Sequence, residues 1–204
     1  MADLKSPKVS ICIPLYNQED LIIRALDSIP KRDDIEIILV DDNSTDNSLD
    51  RVLDWWVDND VNMRVIHNTF NKGVSKAYNR CYDSAIGEYI YHLDDDDYLL
   101  PEWEKCLEYL DGTDLVYVNA QINNGEIYKP SEENHNFCAM WFKFIRRAFL
   151  GDLRRPENVY GGDYELNLTL LSKPHTFVYT DILAYHYNRP RVGSIIWKIE
   201  HNEL

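Results

Sequence analysis

The chain has 204 residues, of which 45% are hydrophobic and 12% aromatic, a composition typical of one globular domain with a sizeable core. Its formal net charge of -14, with scattered lysines and arginines, disfavours binding to duplex nucleic acid or to an anionic membrane surface, since both need basic patches. No apolar run approaches the roughly 20 residues of a membrane span and no signal-peptide pattern begins the chain, so we expect a soluble, cytoplasmic protein. The cysteines lie apart, with no C-x-x-C pair, and are expected to be core thiols: Cys12, Cys81, Cys106 and Cys138.

The first half of the chain alternates short apolar strands with amphipathic helices. Strands are predicted over 9–14, 35–40, 63–67 and 89–93. The order βαβαβαβ predicts a mostly parallel, Rossmann-like sheet flanked by helices, and ligands of such sheets bind at the carboxyl ends of the strands. The helices are predicted from apolar residues at helical spacing, namely Ile22, Ala25, Leu26 and Ile29 after a start near Gln18, then Leu49, Val52, Leu53 and Trp56, and then the segment from Val74 to Ala85.

Four consecutive carboxylates, Asp94 to Asp97, follow the fourth predicted strand directly. Adjacent negative charges repel, and a divalent metal is the usual cation at such a cluster, because hard cations prefer oxygen ligands. A solvated acidic loop is the alternative, but apolar residues return at once in Leu99 and Leu100. If the first strand is central, residues 14–17, 41–42 and 94–97 line one crevice, so we predict a metal and ligand site there.

Motifs of other nucleotide-binding classes are absent from the sequence. No G-x-x-x-x-G-K-S/T loop occurs and no G-x-G-x-x-G follows the first strand, which disfavours kinase-like and dehydrogenase chemistry. The loop from Asp94 is not an EF-hand, because Leu99 stands at the glycine position and Lys105 at that of the final glutamate. The simplest set of metal ligands is therefore one or two carboxylates with the oxygens of a bound diphosphate, which would also let an acidic protein bind an anion.

The second half of the chain contains fewer motifs. A strand is predicted over 114–118, a hairpin over 122–128, an aromatic-rich helix over 137–149, a helix opening at 161–162 and a strand over 176–186. Four arginines lie near these segments, and pairing with surface carboxylates is favoured over contact with an anionic ligand for them: Arg146, Arg147, Arg154 and Arg155.

Five segments of the first half occur in an order that resembles a known family. They are IPLYN at 13–17, VDDNSTD at 40–46, NKGVS at 71–75, GEYI at 87–90 and LDDDD at 93–97. In this order they resemble family 2 glycosyltransferases with the GT-A fold. The resemblance implies an α/β GT-A fold with a smaller acceptor-side β/α region. It also implies a nucleotide-sugar donor with a preference for UDP, a Mn²⁺ or Mg²⁺ ion held by a D-x-D motif, and transfer to a hydroxyl acceptor with inversion.

The resemblance also implies roles for individual residues. Tyr16 would stack on the base and Asp42 would accept a hydrogen bond from the base or ribose; the alternatives are a core-edge aromatic and a helix-entry cap. Pro14 and Asn17 belong to the same donor-binding loop. In the acidic cluster, Asp94 and Asp95 would lie near the ribose and diphosphate, Asp96 would ligate the metal and Asp97 would support the loop. His186, much later in the chain, would be either a metal ligand or a structural histidine.

Asp163 is predicted to be the general base. Inverting displacement needs a base on the face opposite the leaving group, which the second half of the chain would supply. The segment 162–166 resembles the family's Glu-Asp-x-x-Leu segment, in which the Asp is the base, but Gly162 replaces the glutamate and leaves Glu165 as a rival. A helix cap is the alternative role for Asp163. Like Gly162, Tyr78 departs from the motifs of the family, because many relatives have arginine at this position.

Two other classes of protein stay open. A metal-dependent nucleotidyltransferase also uses strand-end carboxylates, but residues 14–17 are not its glycine-rich loop. A non-catalytic carbohydrate-binding module would need neither metal nor nucleoside diphosphate. The sequence has no Q-x-x-R-W motif, so transfer of a single sugar is favoured over polymerisation. We expect residues 1–204 to form a single GT-A catalytic domain, with a nucleotide-sugar-binding half over 1–112 and an acceptor-side half over 113–204. We also expect that this domain could have been excised from a larger protein.

Overall fold

The computed structural model describes residues 6–134, 139–157 and 161–189. Two 3-10 helices, Pro101–Tyr109 and Met140–Phe142, accompany the other elements of these ranges. The strands are β1 Val9–Leu15, β2 Ile35–Asp41, β3 Met63–His67, β4 Tyr89–His92, β5 Tyr98–Leu99, β6 Leu115–Ile122, β7 Ile127–Tyr128, β8 Lys143–Arg146 and β9 Phe177–Tyr187, and the helices are α1 Ile22–Asp27, α2 Ser48–Asp58, α3 Val74–Ser84, α4 Arg147–Leu150 and α5 Gly162–Leu171.

The described strands form one sheet with the order β3-β2-β1-β4-β8-β6-β9-β5, and β7 pairs with β6. β1 lies between β2 and β4 and runs parallel to both, so the first strand is central, as the sequence predicted. β8 then runs antiparallel to both β4 and β6 and joins the two halves of the sheet. Because β1, β2 and β4 point the same way, the loops that follow them meet at one edge of the sheet.

Residues of the sheet alternate between two apolar cores, one on each face. Ile11 and Ile37 pack in one core with residues of α1, α2 and the longer 3-10 helix. Cys12 and Ile38 pack in the other with residues of α3 and α5. Side chains of a strand point to opposite faces in turn, so strands covered by helices on both sides are apolar throughout. The predicted α/β fold, with a Rossmann-like first half and a smaller mixed region, is confirmed.

The helix predicted over 137–149 is wrong within the described residues. Met140–Phe142 is a 3-10 turn, Lys143–Arg146 is strand β8, and only Arg147–Leu150 is helical. Phe144 faces one core and Ile145 the other, so the segment buries both sides as a strand does. Long-range pairing with β4 and β6 therefore outweighs the helical spacing of its aromatic residues.

Two helices of the first half differ from the prediction in detail. α1 begins at Ile22 rather than near Gln18, because the N–H groups of Gln18 and Glu19 donate to Ser48 Oγ and to Asp46 in the next loop. In α2 the predicted residues Val52 and Trp56 pack in the core, but Leu53 is exposed and Trp55, which was not predicted, is buried in its place.

The cysteine prediction is confirmed for the three described cysteines, since Cys12, Cys81 and Cys106 are free and buried, whereas Cys138 lies outside the described residues. None of the helices in the described ranges is both long and apolar enough to cross a membrane.

Among the arginines of the second half, Arg146 pairs with Asp114 and Arg154 with Asp83, as expected for surface cations. Arg147 instead donates to the Gly87 carbonyl at 2.7 Å. The expectation is wrong for Arg155, which is only 7% exposed.

The Asp114 carboxylate connects the ends of three strands of the second half, β6, β8 and β9, by hydrogen bonds. Its carboxylate accepts hydrogen bonds from the Thr176 N–H at 2.9 Å and the Thr176 hydroxyl at 3.0 Å, next to β9. It also accepts one from Arg146 Nε at 2.9 Å, at the end of β8. Burial raises the pKa of Asp114, but the hydrogen bonds from Thr176 and Arg146 outweigh burial, and the pKa lies below its usual value.

Asp114→Asn is expected to lower the free energy of unfolding by about 2 kcal/mol at pH 7, because it weakens charge-assisted hydrogen bonds. A depressed pKa in the folded state stabilises the protein above the unfolded-state pKa of about 3.9, and this contribution is lost as the pH falls through the folded pKa. The difference between wild type and variant should therefore shrink below about pH 4 in urea denaturation. The exposed Asp54→Asn is the control, and an Asp114→Asn difference that is the same at pH 7 and pH 3 would contradict this account.

Candidate active site

The acidic cluster lies in the loop between β4 and β5, at the carboxyl edge of the sheet. Asp97 is fully buried, at 0% exposure, while Asp94, Asp95 and Asp96 are partly buried. Carboxylates this close and this dry repel one another, so each needs donors or cations nearby.

Asp97 is held by the last described strand. Its Oδ2 accepts a hydrogen bond from the Tyr185 hydroxyl at 2.6 Å, and its Oδ1 accepts one from the Asn188 N–H at 2.7 Å. Burial, reinforced by the charges of Asp94 and Asp96, raises the pKa of Asp97 well above its usual value. The prediction that Asp97 supports the loop is thus consistent with its contacts.

Asp94 faces α3 at the bottom of the crevice. Its Oδ1 accepts a hydrogen bond from the Tyr78 hydroxyl at 2.5 Å, and its N–H donates to the Tyr185 hydroxyl at 3.2 Å. Burial and the charge of Asp96 raise the pKa of Asp94 to about 6, although Tyr78 and Arg155 act in the opposite direction. The crevice therefore contains more negative charge than the groups around it neutralise.

The backbone of the acidic loop is fixed by α1 and by the first loop. Asp95 Oδ2 accepts a hydrogen bond from the Tyr16 N–H at 2.9 Å. The Asp96 carbonyl accepts one from Arg24 at 2.7 Å, and the Leu99 N–H donates to Ser28 Oγ at 2.9 Å. Loops that are far apart in sequence are therefore held together at this edge of the sheet.

The loop after β1 combines an exposed aromatic ring with a rigid backbone. Tyr16 is 43% exposed, which leaves part of the residue accessible to a ligand, and its stacking on a base stays a prediction. Asn17 has a positive φ of 53°, and its Oδ1 accepts a hydrogen bond from the Thr45 N–H at 2.7 Å. Pro14 is buried within β1. Pro14 and Asn17 thus shape the loop that presents Tyr16.

Asp42 is buried and organises the loop before α3. Its carboxylate accepts hydrogen bonds from the Asn68 side chain at 2.7 Å, from the Lys72 N–H at 2.9 Å and from the Gly73 N–H at 2.7 Å. These bonds tie the ends of β2 and β3 to the start of α3. A contact between Asp42 and a nucleotide stays a prediction.

His186 lies opposite Tyr98 in the pairing of β5 and β9. The two rings stack with centroids 4.3 Å apart, and the Arg24 guanidinium lies 4.8 Å from the Tyr98 centroid. Burial and the charge of Arg24 lower the pKa of His186, which favours the neutral imidazole. Among the described residues its buried Nδ1 has no hydrogen-bond partner.

The described residues contain no group of three or more His, Cys, Asp and Glu side chains arranged to hold a metal. The chemistry of the crevice nevertheless fits a divalent cation whose coordination is completed by a ligand. Asp94 and Asp96 bring hard oxygen donors close together, and His186 has a neutral ring whose buried Nδ1 has no hydrogen-bond partner among the described residues. Metal ligation by Asp96 and His186 stays a prediction.

Asp163 and Glu165 differ in environment at the start of α5. Asp163 is partly buried and its charge raises the pKa of Asp94, whereas Glu165 is exposed. The N-cap of α5 is Gly161, without a side-chain cap, so Asp163 is not the N-cap residue. A Cβ at Gly162 would lie 2.8 Å from both the Pro156 carbonyl and Ser75 Oγ, which explains why no glutamate side chain fits there.

Several residues of this crevice were not predicted from the sequence. Tyr185 and Asn188 bind Asp97, Tyr78 binds Asp94, and Arg24 binds the acidic loop. Only Tyr78 carried a signal, because it departs from the motif of the family. A tyrosine in a strand and an arginine on an amphipathic helix have no distinctive spacing.

A family model described as glycosyl transferase family 2 matches residues 10–166, more than half of the chain. The chain belongs to glycosyl transferase family 2. Among curated relatives, glycosyltransferase GlyG of Streptococcus pneumoniae is 34% identical over 174 residues, covering 83% of this chain and 55% of GlyG. The GalNAc(5)-diNAcBac-PP-undecaprenol beta-1,3-glucosyltransferase of Campylobacter jejuni is 26% identical over 203 residues, covering 90% of this chain and 66% of that protein.

Solved structures of the same fold bind nucleotide sugars. TarS 1-349 of S. aureus in complex with UDP-GlcNAc superposes with a TM-score of 0.78 at 24% identity, over 90% of this chain and 59% of that chain. The mannosyltransferase PcManGT of Pyrobaculum calidifontis, in complex with GDP-Man and Mn²⁺, gives a TM-score of 0.73 at 21% identity, over 96% of this chain and 61% of that chain. These likenesses show the GT-A fold. The chain thus spans less than two thirds of the length of each of these relatives.

Tyr185→Phe tests how the acidic loop is held. The change removes one hydrogen bond from the buried Asp97 carboxylate and one acceptor from the Asp94 N–H. The free energy of unfolding should fall by about 2–3 kcal/mol in urea denaturation, because a buried charged group loses a partner. Tyr128→Phe, at a residue 40% exposed, is the control. Equal stability of the Tyr185→Phe variant and wild type would show that the loop does not depend on this hydroxyl.

Proposed function

We propose that this protein transfers one sugar from a nucleoside-diphosphate sugar, with UDP as the favoured nucleotide, to a hydroxyl acceptor with inversion, in a metal-dependent reaction. The observation that carries the proposal is the acidic loop Asp94–Asp97 at the carboxyl edge of the sheet of a family 2 chain, with Asp163 of α5 near enough for its charge to raise the pKa of Asp94. The acidic loop follows a donor-side strand, and α5 belongs to the acceptor-side half. The crevice therefore has carboxylates available for both substrates.

The donor side would use the loop after β1 and the acidic loop. The exposed Tyr16 ring offers a flat surface for stacking on a base, and its backbone is fixed to Asp95. Asp42 keeps the loop before α3 in place and is the proposed partner of the base or ribose. The similar structures hold UDP-GlcNAc in one case and GDP-Man with Mn²⁺ in the other, which supports a nucleotide-sugar donor. The preference for UDP rests on the resemblance of the sequence motifs.

Asp96, with Asp94 beside it and His186 as a further candidate, would hold Mn²⁺ or Mg²⁺ together with the donor diphosphate. A bound divalent metal supplies the positive charge that stabilises a departing nucleoside diphosphate. Burial, together with the charges of neighbouring carboxylates, raises the pKa of Asp94 and Asp97, and this cost of negative charge supports a cation here. Residues of this chain orient the loop, since Arg24 and Tyr185 fix the positions of Asp96 and Asp97.

Asp163 would act as the general base. In an inverting transfer the acceptor oxygen forms a bond to the anomeric carbon while the bond from that carbon to the diphosphate oxygen breaks, and its electron pair leaves with the diphosphate. The proton of the acceptor hydroxyl passes to a carboxylate oxygen of Asp163. The partly buried position of Asp163 supports it over the exposed Glu165. We infer that residues 1–204 act as one GT-A unit with halves 1–112 and 113–204, and the cytoplasmic location stays a prediction.

Donor and metal are expected to bind together. Isothermal titration calorimetry should show UDP binding at least about tenfold more tightly with Mn²⁺ than without it, because each supplies ligands or charge to the other. Asp96→Asn should remove most of this gain, and the exposed Asp58→Asn on α2 should keep it. Equal affinity of every nucleoside diphosphate with and without metal, unchanged in Asp96→Asn, would refute the metal site.

Asp163→Asn is expected to lower turnover by roughly 100-fold or more, because asparagine cannot accept the proton. Affinity for UDP and the melting temperature should stay close to those of wild type. The matched control is Glu165→Gln, which should keep near-normal turnover of the donor. A larger loss in Glu165→Gln than in Asp163→Asn would assign the base to Glu165.

A further inference from the structure

Arg155 is a buried arginine in the loop between α4 and α5, and only 7% of it is exposed. Its backbone is clamped by one side chain of α3. The Arg155 N–H donates to Asn79 Oδ1 at 2.8 Å, and Asn79 Nδ2 donates to the Arg155 carbonyl at 2.9 Å. This reciprocal pair fixes the loop before α5 against the donor-side helix.

The guanidinium of Arg155 packs against two tyrosines of α3. It lies 3.7 Å from the centroid of the Tyr78 ring, and its Nε donates to the Tyr82 hydroxyl at 3.0 Å. The Tyr82 hydroxyl in turn lies 2.6 Å from His92 Nε2 at the end of β4. A planar guanidinium can stack on a ring and donate along its edge at once, which an ammonium group cannot do.

This packing connects Arg155 with Asp94. The hydroxyl of Tyr78, whose ring lies against the Arg155 guanidinium, donates a hydrogen bond to Asp94 Oδ1 at 2.5 Å. Tyr78 is therefore held on its face by Arg155 and at its hydroxyl by the acidic loop. The charge of Arg155 also lowers the pKa of Asp94, against the effect of burial.

Arg155 is connected with Asp163 by charge and by the backbone. Burial lowers the pKa of Arg155, but the adjacent tyrosines and the charge of Asp163 outweigh it and raise the pKa. The residue before Asp163 is Gly162, where a Cβ would lie 2.8 Å from the Pro156 carbonyl and 3.8 Å from the Arg155 Cβ. The start of α5 therefore packs closely against the segment that contains Arg155.

We propose that Arg155 is a positioning residue that holds Asp94, through Tyr78, and Asp163, through charge and the contact at Gly162, in fixed relation to each other. The inference rests on the proposed function, in which Asp94 lies on the donor side and Asp163 serves the acceptor. Arg155 packs on the tyrosine that binds Asp94 and lies next to the first residue of α5, so its place in the fold links the donor-binding and proton-accepting carboxylates. Such alignment affects rate strongly, since a displacement of about 1 Å in a site can cost 10²-fold.

The test uses Arg155→Lys, Arg155→Met and Tyr78→Phe in the full chain, with turnover of UDP-sugars and calorimetric affinity for UDP with Mn²⁺ as separate readouts. Arg155→Met removes the charge and should lower kcat about 100-fold, while Arg155→Lys keeps the charge and should retain at least about tenfold more kcat than Arg155→Met. Tyr78→Phe keeps the ring and removes only the hydroxyl that binds Asp94, so UDP affinity should fall about tenfold and the melting temperature should fall as well. The matched control is Arg154→Gln at the partly buried neighbour that pairs with Asp83, and this variant should keep the kcat and UDP affinity of wild type.

The outcomes separate the two proposals. A wild-type protein that binds no nucleoside diphosphate and transfers no sugar from any donor refutes the proposed function, and the positioning role with it. An active wild type refutes the positioning role alone if Arg155→Met keeps kcat within twofold, or if Lys and Met at position 155 lose kcat equally. If Arg155→Met does not fold, Tyr78→Phe decides, since unchanged UDP affinity and kcat in that variant would disconnect Asp94 from Arg155.

Discussion

The crowding of four carboxylates at the end of β4 is the constraint on which the rest of the crevice depends. Charges in a partly dry environment must be neutralised by protonation, by hydrogen-bond donors or by cations. Protein groups supply part of this: tyrosine hydroxyls at Asp94 and Asp97, the Asn188 N–H at Asp97 and the Tyr16 N–H at Asp95. The remaining imbalance is what makes the crevice suited to a cationic ligand or a metal-bound anion.

The fold meets this constraint by surrounding the acidic loop with elements from both halves of the chain. α1 supplies Arg24 and Ser28, α3 supplies Tyr78, and β9 supplies Tyr185. Aromatic hydroxyls suit the task because each ring packs in a core while its polar end reaches a carboxylate. The same residues therefore stabilise the core and orient the polar groups of the crevice.

The sequence was sufficient for the first half of the fold and for the place of the crevice. Strands buried on both faces have a clear apolar pattern, and parallel order follows from their alternation with helices. It was insufficient for β8, whose aromatic residues recur at a helical spacing but whose partners, β4 and β6, are distant in the chain. It also missed Arg155, because surface pairing is the usual state of an arginine and only the tertiary packing on Tyr78 reveals otherwise.

The strand β9 has a consequence for the order in which the site forms. Tyr185 and Asn188 contact Asp97 across 88 and 91 positions of the chain, whereas the sequence motifs of the donor side all precede position 98. A nascent chain that has emerged only as far as β8 thus possesses every donor motif but leaves Asp97 without these two donors. Asp97 therefore gains these two donors only when β9 takes its place between β6 and β5.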